Sequence, residues 1–195
     1  MTEPHNRTIR WGQPPPAAGG RRMSEEIWAV RARPTVGPGA TTLGRWEPVA
    51  SVDLTAHRLQ LSAALNGASR PAEAEEGAVE RLLLAFEELA SNALRHGRPP
   101  VRVEVTAADG FWLLDVSDAA VDQLPTPAVG RDAAFGGMGL YLVASVCTAH
   151  GWFADGGRKH TWGCIDYTRV EARDSALQSV PGPRDGTNGR RRRLR

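Results

Sequence analysis

Lysine is almost missing from this chain. Lys159 is the only one in 195 residues, and arginine supplies the rest of the positive charge. Cysteine is scarce as well: Cys147 and Cys164 stand alone, neither in a CxxC pair nor near a histidine at metal-ligand spacing. Both sit in apolar segments and read as small buried hydrophobes. No apolar run approaches the ~18 residues of a membrane span, and the opening MTEPHNRTIRWGQPPP has no apolar h-region. A secretory signal is therefore not expected, and the chain reads as cytoplasmic with no membrane partner. Charge of one sign is lacking too. The net charge is +2, but RRRRLR at residues 190–195 supplies more than that excess, so the body is slightly acidic. A body without a basic stripe excludes a nucleic-acid surface on the fold itself.

What is present is enough for one domain. Hydrophobic residues make up 41% of the chain. Residues 1–45 are rich in Pro, Gly and Arg (GQPPPAAGGRR, RPTVGPGATT) and are expected as a disordered tail, because they bury too little apolar area to offset their ordering entropy. Trp11 and Trp28 are the tail's candidates for docking on the domain or on a partner. The domain is expected over 46–172, and a polar, finally basic tail over 173–195.

Within the domain, Asp53 or Thr55 can cap a helix over 55–66, with Leu59, Leu61, Ala64 and Leu65 as its apolar positions. Gly67, Ser69 and Pro71 break it, and Pro71 suits the first turn of the next helix. The strongest periodic signal follows. Val79, Leu82, Leu83, Phe86, Leu89, Ala90, Ala93 and Leu94 recur at helical spacing, and Gly97 ends the run ahead of Pro99 and Pro100. Val101, Val103 and Val105 alternate with Arg102 and Glu104, as in a half-exposed strand. AADG makes a turn, and Phe111–Val116 forms a second strand. Residues 119–135 read as a loop. Gly136, Gly137 and Gly139 open a third helix from Leu140 to about Ala149. Trp152–Ala154 and Gly163–Val170 read as two strands around a GGRKHT turn. This order implies an α+β fold, a two-layer sandwich of a mixed, mostly antiparallel sheet with helices on one face.

Three segments carry candidate chemistry. At 100° per residue, Glu88, Asn92 and His96 form one line along the second helix, opposite its apolar stripe. The glycines at 136, 137 and 139 let backbone approach a phosphate, with the free N–H groups of the following helix aimed at the anion. No GK[ST] follows them, so this is not a P-loop. Asp118 closes a strand, where a carboxylate can accept from a ligand's amino group. Each has an ordinary reading alone: a solvated helix face, a flexible loop before a buried helix, a turn starter.

Together, ELASNALRHG, DVSDAA, GGMGLYLV and GGRKHTWG, in that order and spacing, resemble the histidine-kinase-like (GHKL) ATP-binding superfamily over residues 46–170. Glu88-Leu89-x-x-Asn92-Ala93 looks like its N box, Asp118 like the aspartate that holds the adenine amino group, and Gly136-Gly137-Met138-Gly139-Leu140 like the box over the phosphates. Thr161 looks like the threonine near the adenine. The short anti-sigma-factor serine/threonine kinases fit best, because this chain has no room for a phosphoacceptor hairpin or a transducer domain. The resemblance implies ATP and Mg²⁺ as cofactors, Asn92 as the metal ligand and Glu88 as the catalytic group orienting or deprotonating a Ser/Thr hydroxyl. His96 is implied near the lid or phosphates, or as a helix-end group. The implied partners are a sigma factor and an anti-sigma antagonist, with a homodimer left open. The chain departs from the fuller pattern where Ala119 and Ala120 stand in place of glycines. A catalytically inactive switch acting by sequestration is the alternative, and nucleic-acid binding through RRRRLR a more remote one. Arg158 and Lys159 are expected in a turn, as solvated residues or as groups meeting phosphate.

Overall fold

A computed structural model describes residues 28–67, 70–125 and 138–168. Its elements run β1 (Thr41–Trp46), α1 (Ser51–Asn66), α2 (Glu76–His96), β2 (Arg102–Ala108), β3 (Phe111–Asp118), α3 (Gly139–Val146), β4 (Ala149–Asp155) and β5 (Arg158–Asp166). The strands form one sheet in the order β1-β2-β3-β5-β4, every neighbouring pair antiparallel. Two-residue turns close both hairpins. Gly110 has φ 82°, and Gly156 and Gly157 have φ 55° and 74°, values that side-chain-bearing residues rarely adopt.

The helices occupy one face. Successive side chains of a strand point to opposite faces, so Val103, Val105, Trp112, Leu114, Val116 and Ile165 face them together. α2 lays Leu82, Phe86, Leu89 and Ala90 on that surface, all at most 2% exposed, while α1 adds Leu54, Leu61 and Leu65. The expected stripe on α2 is the buried one, and Gly97 caps the helix as expected. The α+β, two-layer architecture is observed, and among the described residues no helix is long and apolar enough to cross a membrane.

Local details differ from expectation. α1 begins at Ser51 rather than near 55. Asp53 is not its cap but sits in the first turn and accepts from the backbone N–H of Val49 and Ala50, both at 2.9 Å. Leu59 is exposed, because Leu54, Leu61 and Leu65 define the buried stripe instead. Pro71 opens a turn, and α2 starts only at Glu76. α3 stops at Val146, and Ala149 already belongs to β4. Gly156 and Gly157 make the last turn by themselves, so Arg158, Lys159, His160 and Thr161 lie in β5 rather than in a turn.

The largest correction concerns the N-terminal tail. Residues 28–45, inside the segment expected to be disordered, carry defined structure. β1 pairs along β2 as an edge strand. Ahead of it, residues 28–40 form a strap. Val30 bridges Trp152 in parallel at the β4 edge, and the Trp162 indole donates to the Arg31 carbonyl at 3.0 Å. Arg33 then pairs with Asp115 on the central strand at 2.9 Å, and Val36 packs on Leu113, Trp162 and Cys164. The strap thus crosses the sheet face that the helices leave open. The expected tail failed as a reading because the stabilising partners are strands far along the chain. The C-terminal segment 173–195 and residues 1–27 lie outside the described residues.

Candidate functional site

The helical line Glu88–Asn92–His96 is less solvated than its pattern suggests. Glu88 and Asn92 are half-buried, and only His96 at the helix end is exposed. The reason is tertiary. α3 begins against Glu88, so closely that a β-carbon on Gly139 would collide with the Glu88 carboxylate. One helix turn along, the Asn92 amide oxygen takes a long hydrogen bond of 3.4 Å from Arg95 and has acceptor capacity to spare. At the far end, a β-carbon on Gly97 would lie 2.6 Å from Asp118 Cγ and 2.8 Å from Oδ2. The two glycines are therefore required by close approach rather than by backbone conformation. Residues more than twenty positions apart in sequence are thus drawn to the same helix, Gly139 beside Glu88 and Asp118 beside the terminal Gly97.

Asp118 is 2% exposed at the end of β3. Its Oδ1 accepts from the Ala120 N–H at 2.7 Å and the Arg98 N–H at 3.4 Å. Its Oδ2 faces Lys159 Nζ at 3.2 Å. An ionised carboxylate has about four acceptor positions, so Oδ2 retains one for a ligand's amino group. Lys159 also donates to the Gln123 carbonyl at 3.0 Å, tying the segment after β3 to the same carboxylate. The only lysine of the chain is thus a buried partner of Asp118, not a solvated turn residue. Nothing local marks it: β5 brings it opposite Asp118 through the register Asp118↔Lys159. Two positions along, the pair Val116↔Thr161 sets the nine-tenths-buried Thr161 on the same sheet face. Close by, Arg98 pairs with Asp122 at 2.9 Å and holds that carboxyl below its usual range.

Met138 precedes α3 and is about half exposed, whereas Leu140 points its side chain into the core. Only the backbone of Leu140 is therefore left to meet a ligand. The first N–H groups of a helix have no intrahelical partner, so the start of α3 offers donors beside Glu88. Gly136 and Gly137 lie outside the described residues. The site residues fit a magnesium–nucleotide pair in kind: an amide oxygen with spare capacity for a hard cation, N–H donors for phosphate, and a carboxylate with an open acceptor for a base. Among the described residues there is no group of three or more His, Cys, Asp and Glu able to hold an ion by itself.

A cavity of about 300 Å³ opens on the other side of the sheet, under the strap, lined by Arg33, Arg102, Glu104, Asp115, Arg158 and His160 among others. Of the residues singled out in the sequence for chemistry, only Arg158 lines it. Sequence reasoning missed Gly97 as a contact to Asp118, Lys159 as its partner, and Arg95 beside Asn92. Only Gly97 carried a signal, as the last residue of ELASNALRHG.

Comparison with known proteins adds an independent line. A model of the histidine kinase-like ATPase domain matches residues 51–161. Among solved structures, the Acinetobacter baumannii histidine kinase AdeS is similar at 18% identity with a TM-score of 0.33, covering 47% of this chain and 48% of that one. The chain thus spans about half of that protein's length. No curated protein matches in sequence.

Proposed function

The chain belongs to the histidine kinase-like ATPase domain family, and on that premise we propose that it binds ATP with Mg²⁺ along the outer face of α2 and phosphorylates a partner protein on serine or threonine. One observation carries the reading. Gly139 closes on Glu88 partway along α2, and Asp118 closes on Gly97 at its C-terminal end. A ligand lying between them would meet N–H donors and a carboxylate in the order that phosphates and an adenine amino group require. Asp118 and Thr161 would hold the base. Gly136, Gly137, Met138, Gly139 and Leu140 would meet the phosphates through their backbone, and His96 would stand near the covering loop. Asn92 would hold magnesium, which when bound neutralises phosphate charge. Glu88 would take the proton of the attacking hydroxyl as its oxygen bonds to the γ-phosphorus and the bond to ADP breaks.

The partner class follows from the match of ELASNALRHG and the short 119–135 segment to anti-sigma-factor kinases. It comprises an anti-sigma antagonist as phosphoacceptor and a sigma factor as the sequestered ligand. Sequestration without turnover is the second reading, favoured by Lys159, itself tied to the Gln123 carbonyl, which engages Asp118 before any ligand arrives.

Titration of Mg²⁺–ATP into the wild type and Asn92→Ala tests the site. Binding should weaken by about tenfold or more in the variant, the size seen when metal-site support is removed. A folded wild type that binds no nucleotide sinks the proposal. Transfer of labelled γ-phosphate to a cognate partner, lost in Glu88→Ala with binding retained, separates the kinase from the silent switch.

A further inference from the structure

α3 has eight residues, about two turns, which is too short to hold itself as a helix. Tertiary contacts must therefore fix its first turn. Leu140 and Val143 anchor it in the core, and Gly139 abuts Glu88. One further contact reaches across 112 residues: the Trp28 indole N–H donates to the Leu140 carbonyl at 3.0 Å, fully out of solvent. Trp28 is itself well held. It is 2% exposed, and its ring lies against His150 with centroids 4.9 Å apart. Just beyond it, Arg31 N–H donates to the Trp152 carbonyl at 2.9 Å and Trp152 N–H to the Ala29 carbonyl at 3.3 Å. Gly151 makes room, since a β-carbon there would come 2.9 Å from that of Arg31.

We propose that Trp28 is a positioning residue for the nucleotide site: through its hydrogen bond to Leu140 it sets the first turn of α3, the turn that meets the phosphates. The inference rests on the nucleotide reading above and adds to it that the N-terminal strap is part of the site. A buried indole N–H without an acceptor is costly, so Trp28 and Leu140 constrain each other. Losing the N–H frees the phosphate end of the site and leaves the base end, built on Asp118 and Thr161, untouched.

The test uses the full chain with Trp28→Phe and, separately, with 3-benzothienylalanine at position 28, which keeps the bicyclic shape but replaces N–H by sulfur. Mg²⁺–ATP and adenosine are titrated into each, and amide exchange is followed over α3. Both variants should lose about five- to tenfold in ATP affinity, the worth of one hydrogen bond. Adenosine affinity should stay within about twofold, and exchange in α3 should quicken. Equal losses for ATP and adenosine would reduce Trp28 to general support, and unchanged ATP affinity would refute the positioning role outright. A wild type that binds neither ligand overturns the nucleotide reading itself. Exchange in α3 then decides alone whether Trp28 sets that turn.

Discussion

The two faces of the sheet are held by different physics. On the helix face, Trp112, Leu114, Val116 and Ile165 meet Phe86, Leu82 and Leu89 in a continuous apolar layer. On the open face, Leu113, Trp162 and Cys164 form a small buried apolar cluster among the described residues, with Val36, Phe111, Ala149 and Phe153 packed on it. Around it run the ion pairs Arg33–Asp115, Arg45–Glu104 and Arg102–Glu47, and a contact of His160 Nδ1 with Asp115 at 3.0 Å. A helix layer stabilises by removing apolar area from water, roughly 25 cal/mol per Å². Ion pairs between partly exposed groups, such as Arg45–Glu104 and Arg102–Glu47, stabilise little, about 0–1 kcal/mol each, and only Asp115 among these carboxylates is buried. The comparison teaches that the helix layer, with Trp28 anchored in it, holds the fold, while the part of the strap that crosses the open face is a lightly held cover.

The harshest way to break this contrast is Phe86→Ala. Phe86 is fully buried at the centre of α2, and its truncation should cost about 3–5 kcal/mol in denaturant unfolding. A loss below about 1 kcal/mol would deny that the helix face dominates. On the open face, Asp115→Ala should cost about 1–3 kcal/mol, because the buried carboxylate serves both Arg33 and His160. Arg33→Ala, which removes a half-exposed partner, should cost under about 1 kcal/mol. If Arg33→Ala matched Phe86→Ala, the strap would be structural rather than a cover.

The two thiols sharpen the comparison without a mutation, since Cys164 lies under the strap and Cys147 packs on the helix-side core. Burial pushes both up to about 12. At pH 8 roughly one in ten thousand is thiolate, so both should react slowly with a disulfide reagent in the native state. Cys147 is partly exposed and Cys164 buried, so faster labelling of Cys164 would show that its cover opens readily, and slower labelling would mean that the strap is as firmly held as the helices.

The smallest effect is electrostatic. The backbone N–H groups of Ala50 and Val49 hold Asp53 below its ordinary value of 3.8. A lowered folded value means a stabilisation present above 3.8 and lost as pH falls through the folded value. The stability difference between the wild type and Asp53→Asn should therefore shrink only in that acid window. A difference that persists at lower pH would assign it to shape rather than charge.

The legible parts of the chain were those with local cause. α2 was readable because its apolar period runs unbroken between Val79 and Ala93 and a glycine ends it. The candidate residues on its polar side follow from that phase, and Asp118 from its place at a strand end. Lys159 was misread because a doubled glycine before basic residues looks like one long turn, whereas two positive-φ glycines close the hairpin unaided. Leu59 was misread because α1 lacks a clear apolar phase, and only packing chose its face.

By itself, then, the sequence determined the buried stripe of α2 and the succession of helices and strands from α1 onward, and it singled out positions 88, 92, 118 and 139 as candidates, since periodicity and turn chemistry act over a few neighbours. Only the tertiary structure decided that Glu88 meets Gly139, that Gly97 meets Asp118, that Lys159 is buried and that Trp28 reaches Leu140. Those contacts join residues far apart in the chain, and their stability comes from register and packing that no local pattern encodes.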